Sequence, residues 1–357
     1  MIYLDCQATT PLAPEALDAM LPLLGGPDSS LFANPHSPHR MGRQAAAVVE
    51  LARERVAMLF PAGGRVAFTG SACEAINLAI RGSYRGGRVA ISAIEHAAVL
   101  ETAEALGDPL VIPVDAEGIA DPRVNLPGET GLVCLMQVNN EIGTVQPVDA
   151  LAERAHQAGA LVLCDAVQGA GKFAPPQHAD MIAVSAHKLY GPKGIGALWV
   201  RDGVELTPQI TGGLQEGLRS GTLNPALCAG FGVAARLAVE GMEADRAHAR
   251  ALWDRALELF DGWTVNGSQT QRNHANLSIR KDGLDVARLM SDCREVMFSA
   301  GSACASGSGK TSHVLSAIGL APAQAKSTIR LGWGRYTSME ELEAAAERLN
   351  YAASQQG

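Results

Sequence analysis

The stretch Met181-Ile-Ala-Val-Ser-Ala-His-Lys-Leu-Tyr-Gly-Pro-Lys-Gly194 decides the fold. Its opening apolar run reads as a buried strand, Met181–Ser185, and the Gly191-Pro192 turn stops the chain from continuing in that direction. Ser185, His187 and Lys188 therefore fall at a strand's carboxyl end, the edge where open α/β sheets bind ligands. Upstream, Leu161–Cys164 is a second such run and is followed by Asp165. Similar runs occur at Val66–Thr69, Val89–Ser92, Leu110–Val114, Leu132–Gln137 and Ile195–Val200. Most are continuous rather than alternating, which suits strands covered on both faces of a mainly parallel sheet. Helical stretches lie between or before them. Arg43–Phe60, for example, places Val49, Ala52, Val56, Leu59 and Phe60 on one face. Strand–helix alternation over Val66–Val200 predicts an α/β domain with helices on both faces.

Beyond about Pro225 the character changes. Pro225–Phe260 has long helical periodicity, with Gly230, Gly232 and Gly241 as weak points. Short strand candidates follow at Ala275–Ile279, Val296–Ser299 and Thr328–Leu331, and a helix closes the chain near Met339–Tyr351. The reading is a large domain over residues 14–245 and a smaller α+β domain made of 1–13 and 246–357.

The chain has 357 residues, 47% hydrophobic and 18% charged, so it can bury a large core and does not read as disordered. A net charge of −8 argues against nucleic acid as a partner. No apolar run approaches a membrane span, and the start lacks a signal peptide's basic region. The seven cysteines include no Cys-x-x-Cys pair, so neither a disulfide framework nor a metal site is expected. These features predict a soluble protein of a reducing compartment, the cytoplasm.

Three segments carry candidate chemistry. A lone lysine at a strand end is most often a solvated charge, and a lone aspartate such as Asp165 either caps a turn or faces a cation. Together they suggest more: a lysine amine can form a Schiff base, and an aspartate can hold a pyridinium nitrogen in enzymes that use pyridoxal phosphate. Thr69-Gly-Ser-Ala-Cys-Glu-Ala75 leaves a strand and opens a helix, an arrangement that favours a phosphate. Ser299-Ala-Gly-Ser-Ala-Cys304 and the small residues after it mark Cys304 as the reactive thiol, because Cys134 and Cys164 sit among apolar neighbours. Gly309-Lys310-Thr311 does not complete a P-loop, since Cys304 occupies the position of that motif's first glycine.

Taken in order, the motifs resemble the cysteine desulfurases, fold-type I pyridoxal phosphate enzymes of the class V aminotransferase superfamily. Tyr3-Leu-Asp-Cys-Gln-Ala-Thr-Thr-Pro11, Asn34-Pro-His-Ser-Pro-His39 and Ile94-Glu-His-Ala-Ala-Val-Leu100 carry the likeness. So do Val138-Asn-Asn-Glu-Ile-Gly-Thr-Val-Gln146, Asp165-Ala-Val-Gln168, Ala186–Gly196, Arg219-Ser-Gly-Thr222, the Cys304 loop and Ile329-Arg-Leu-Gly-Trp-Gly-Arg335. The long loop with Ser-Ala-Cys is similar to that of the group I branch, which supplies iron–sulfur assembly.

The resemblance implies a mainly parallel seven-stranded sheet and a set of roles. Lys188 would carry pyridoxal 5'-phosphate and move the Cα proton. Asp165 would pair with the ring nitrogen, His96 would stack on the ring, and Asn140 and Gln168 would bond near its phenolic oxygen. Ala72, Cys73, Ser185 and His187 would hold the phosphate, joined by Thr222 from the second subunit of a homodimer. Threonine is usual in the family where Cys73 stands. Asn34, Asn140 and Arg330 would contact the substrate, with Arg330 clamping the carboxylate of L-cysteine. Cys304 would take the sulfur as a persulfide and pass it to an acceptor or iron–sulfur scaffold protein, leaving L-alanine.

Overall fold

The computed structural model describes all residues except 28, 30, 214, 302–310 and 357. The chain opens with the short strand β1 (Ile2–Tyr3), then helices α1 (Pro14–Met20) and α2 (Arg40–Ala57). Alternation follows: β2 (Gly64–Thr69), α3 (Ala72–Ser83), β3 (Arg88–Ser92), α4 (Ala97–Glu104), β4 (Leu110–Ile112), β5 (Thr130–Met136), α5 (Val148–Gln157) and β6 (Leu161–Asp165). Two strands, β7 (Met181–Ser185) and β8 (Gly196–Arg201), complete a seven-stranded sheet of order β2-β8-β7-β6-β5-β3-β4. Pairing is parallel except where β8 runs antiparallel to both β2 and β7.

The seven apolar runs are these seven strands; in the inner strands successive residues feed two different cores, whereas in the edge strand β4 Leu110 and Ile112 face one core and Val111 is exposed. In β6, Val162 and Cys164 join the core under α2, α5 and α6 (Pro225–Glu240), whereas Leu163 joins the core under α3 and α4. Strands dry on both faces have no position for a polar residue, so alternation disappears. Asn224 caps α6 by accepting from the N–H groups of Ala226 and Leu227, and Pro225 fills the first turn.

The helical periodicity after Pro225 is broken at Gly241, where α6 ends and α7 (Met242–Leu259) begins. From α7 onward the chain builds a separate core. It includes Leu252, Trp253, Leu277, Leu289, Ile329, Trp333 and Leu349, together with Ile2 and Leu4 of the N-terminal segment. Its strands β9 (Thr264–Val265) and β10 (Asn276–Arg280) precede α8 (Val286–Asp292). The expected single strand Val296–Ser299 is instead two, β11 (Val296–Met297) and β12 (Ser299–Ala300). The reason is pairing: β11 lies parallel to β1, while β12 joins β13 (Thr328–Gly332) in the sheet β12-β13-β10-β9. Two short helices, α9 (His313–Ala317) and α10 (Pro322–Lys326), precede β13, and α11 (Met339–Ser354) closes the fold. Among the described residues no helix is long and apolar enough to cross a membrane.

Candidate active site

A cavity of about 350 Å³ lies at the carboxyl ends of β5, β6 and β7. Its wall includes Ala72, Cys73, His96, Asn140, Asp165, Gln168, Ser185, His187, Lys188 and Arg330, so residues scattered over most of the chain meet in one place.

Asp165 is the last residue of β6 and is 6% exposed. Burial raises its pKa, and the positive charges of His96 and Lys188 pull against that rise. One of its oxygens accepts the N–H of Val167 at 2.9 Å, which fixes the carboxylate at the strand end. His96 caps α4: its Nδ1 accepts the N–H of Ala98 at 3.1 Å, so the proton of the neutral ring sits on Nε2.

Ser185 ends β7, and a single 3₁₀ turn carries Ala186–Lys188. The N-terminal segment clamps this turn. Lys188 Nζ donates to the carbonyls of Gln7 and Ala8, at 2.5 and 2.8 Å. Thr10 donates its hydroxyl to His187 O at 3.0 Å and accepts the N–H of Tyr190 at 2.7 Å. Tyr190 itself has φ +67°, the one left-handed non-glycine among the described residues. Its hydroxyl accepts the N–H of Arg335 at 2.6 Å, so the strained turn after Lys188 is pinned from two sides. His187 faces Thr9 Oγ1 at 3.2 Å, and burial with the nearby Lys188 and Lys193 charges pushes its pKa down to about 4. It is neutral at pH 7.

Opposite this turn, Ser71 caps α3 by accepting the N–H of Glu74, and the first helical residues Ala72 and Cys73 border the cavity. Gly196 permits the approach. A Cβ there would lie 2.7 Å from the Ser71 carbonyl carbon and 2.9 Å from the Ala72 nitrogen. Cys73 is the one exposed thiol among the described cysteines.

Arg330, on β13, is 2% exposed and already engaged. It donates to Asp5 Oδ1 at 2.9 Å, to Asn140 O at 3.1 Å and to Ser299 Oγ at 3.3 Å, while its Nε–H has no acceptor among the described residues. Two buried carboxyl groups stand behind the wall. Glu95 accepts from Ser92 Oγ and from the N–H of Met136, yet burial raises its pKa to about 8. Glu141 accepts from Ser312 Oγ at 2.5 Å, and burial lifts it to about 7.

Two expected residues are not brought to the cavity within this chain. Asn34 is exposed on the turn before α2, where its side chain accepts the N–H of His36. Thr222 is exposed on the loop before α6, outside the cavity wall. Cys304 lies outside the described residues. Gln7, Ala8 and Ser71 border the cavity and escaped notice as site residues, because two of them act through backbone carbonyls that no side-chain pattern reports.

The fold and this cavity define an aminotransferase-type enzyme, and the chain belongs to the family described as aminotransferase class-V, which matches residues 2–345. Its relatives include "Cysteine desulfurase IscS" of Rickettsia rickettsii (strain Iowa), 38% identical over 96% of this chain and 89% of that one. "Cysteine desulfurase, mitochondrial" of Arthroderma benhamiae is 38% identical over 98% of this chain and 75% of its own. Among solved structures, a "NifS-like protein" superposes with a TM-score of 0.89 at 29% identity, covering 99% of both chains. Another, "SspA in complex with cysteine", gives 0.83 at 33% identity over 95% of this chain and all (100%) of that one.

The family depends on pyridoxal phosphate, and the residues present fit that group. A buried carboxylate at the floor suits a protonated ring nitrogen, an amine stands at the wall, and a helix start with Ser185 and neutral His187 can donate to a phosphate.

Proposed function

We propose that this chain is a pyridoxal phosphate-dependent cysteine desulfurase that moves sulfur from L-cysteine onto Cys304 and releases L-alanine. The observation that supports it best is the meeting of Lys188, Asp165, His96 and Arg330 in one cavity at the strand ends. The cofactor supplies an electron sink that acidifies the substrate's Cα–H bond and weakens its C–S bond.

The residues divide the remaining work. The Lys188 amine would hold the cofactor's aldehyde and would move a proton at the substrate's Cα. The Asp165 carboxylate holds the ring nitrogen protonated, and its own ionisation is favoured in return by that cation. His96 would cover the ring, with its Nε2 left to hydrogen-bond towards the reacting region. Gln168 and Asn140 border the ring's oxygen. Ala72, Cys73, Ser185 and neutral His187 receive the phosphate, with Thr222 reaching across from the partner of a homodimer. Asn34, Asn140 and Arg330 would contact the substrate, Arg330 presenting a guanidinium suited to its carboxylate.

In the sulfur step the Cys304 thiolate attacks the substrate sulfur and the C–S bond breaks. The carbon takes a proton, so one cysteine and one thiol become one alanine and one persulfide. A free thiol with a pKa of about 8.5 is mostly protonated at pH 7, so the site must take its proton before the attack. The persulfide is then passed to an acceptor protein, an iron–sulfur scaffold in the group I manner, in the cytoplasm. The large and small units read as residues 14–245 and 1–13 with 246–357.

Mass spectrometry after cysteine treatment tests this reading. Borohydride reduction should fix the cofactor on Lys188, and Cys304 should gain one sulfur. Lys188→Ala should lose the adduct and at least about 10²-fold to 10⁴-fold in rate. Cys304→Ser should keep the adduct and release no alanine. A persulfide found on another cysteine, or a normal adduct in Lys188→Ala, would overturn the assignment.

A further inference from the structure

A second cavity, of about 530 Å³, lies behind the Lys188 turn and shares only Gln7 with the first. Leu189 and Tyr190 border it from the large sheet's side, and Ala249, Trp333 and Arg335 from the small core's side. Its wall is basic in an acidic chain of net charge −8: Lys172, Arg246, Arg250, Arg272 and Arg335 face only Glu243 and Asp245.

Three of these cations are balanced. Arg335 grips Asp245 at 2.7 Å, Arg246 meets Glu243 at 3.3 Å, and Arg250 meets Asp254 at 2.8 Å. Lys172 and Arg272 have no such partner: among the described residues neither has a carboxylate within 4 Å, and Asp245 acts on Lys172 only from further away.

Arg272 is 3% exposed and its guanidinium lies 3.7 Å over the Trp253 ring. It donates to the backbone carbonyls of Ser268, Asn276 and Ile142, at 2.7, 2.6 and 3.3 Å, and its buried Nε–H has no acceptor among the described residues. Burial alone draws its pKa down to about 9, with no compensating charge. A buried cation without a counter-charge is costly, and an anion that reaches it recovers that cost. Lys172 Nζ donates to the carbonyls of Lys188 and Gln168, at 3.2 and 3.3 Å, so one face of this amine touches the backbone of the first site while the side chain borders the second cavity.

We propose that this second cavity binds a small organic carboxylate, its anionic group held by Lys172 and Arg272 and its carbon skeleton against Tyr190 and Trp333. The mixture of unbalanced cations and aromatic wall suits an organic acid better than an inorganic ion. Through Lys172, occupancy bears on the carbonyl of Lys188.

Succinate is the probe, titrated into the cofactor-loaded protein by calorimetry and by tryptophan fluorescence, with sodium sulfate as the inorganic control. Saturable succinate binding is expected, with a fluorescence change that is lost in Trp333→Phe. Affinity should fall at least about tenfold in Lys172→Met, equivalent to about 1.4 kcal/mol. Arg272→Lys keeps a charge for folding and should also weaken binding, so the test does not hang on one variant. The proposal fails if no saturable binding is seen, if sulfate gives the same response, or if Lys172→Met binds as well as the parent. It fails equally if excess L-cysteine or Arg330→Lys abolishes the binding, because succinate then occupies the first cavity.

Discussion

The Arg330 guanidinium lies 2.9 Å from the Asp5 carboxylate, a pair that ties β13 to the N-terminal segment beside the first cavity. Arg330 was expected to be open to a substrate carboxylate; here it already has a carboxylate partner from its own chain. A substrate carboxylate held by Arg330, as proposed above, would share the guanidinium with Asp5 through the remaining N–H groups.

Removing one member of this pair exposes its worth. Asp5→Ala leaves a buried cation with neutral acceptors only, and urea denaturation should show a loss of about 3 kcal/mol. Asp5→Leu combined with Arg330→Met should recover much of that, because both charges are gone. A double variant as unstable as the single would mean that the loss came from packing.

The Thr10 hydroxyl makes two hydrogen bonds to the turn that carries Lys188. Thr10→Val is nearly isosteric but leaves the buried N–H of Tyr190 without an acceptor, at about 1–3 kcal/mol. Because that turn aims the lysine, cofactor retention on dilution should fall as well. Unchanged retention with lowered stability would show that the turn is held well enough by Arg335 and the backbone bonds from Thr10 and Ala13.

Glu95 gives the stability a pH dependence of known sign. Its carboxyl normally titrates at 4.5 and burial raises it to about 8. The folded chain therefore binds this proton more tightly than the unfolded chain does. The stability it confers is complete below 4.5 and lost as pH climbs through about 8. Glu95→Gln should flatten the decline in urea midpoint between those values. A variant that keeps the parent's slope would move the origin elsewhere, with Glu141 and its value of about 7 next in line.

Cys73 stands exposed at the start of α3 on the cavity wall. Cys73→Thr places a better hydrogen-bond donor at the proposed phosphate end. The off-rate of pyridoxal phosphate, followed by its absorbance, should slow several-fold, in line with about 1 kcal/mol for one added bond. A faster off-rate would mean that the thiol is the better neighbour there.

The local sequence fixed a good deal on its own. Continuous apolar runs located all seven strands of the large sheet; in the inner strands cover on both faces asks for an apolar residue at every position, whereas the edge strand β4 leaves Val111 exposed. Of the three weak points Gly230, Gly232 and Gly241, α6 runs through the first two and ends at the third, and the polar residues at the ends of β6 and β7 marked the edge of the sheet that borders the cavity. Ordered motifs placed Lys188, Asp165, His96 and Arg330 in one expected site. Periodicity, however, reports burial and not which element does the burying. Only the tertiary structure decided that β8 runs antiparallel, that Val296–Ser299 divides between two sheets, and that Asn34 and Thr222 lie outside the cavity wall of their own chain. It alone joined Asp5 to Arg330, laid residues 7–10 over the Lys188 turn and left Lys172 and Arg272 unbalanced around a shared space. Those contacts span long stretches of chain, and a residue's own neighbours in sequence carry no record of the charge or carbonyl that folding brings to it.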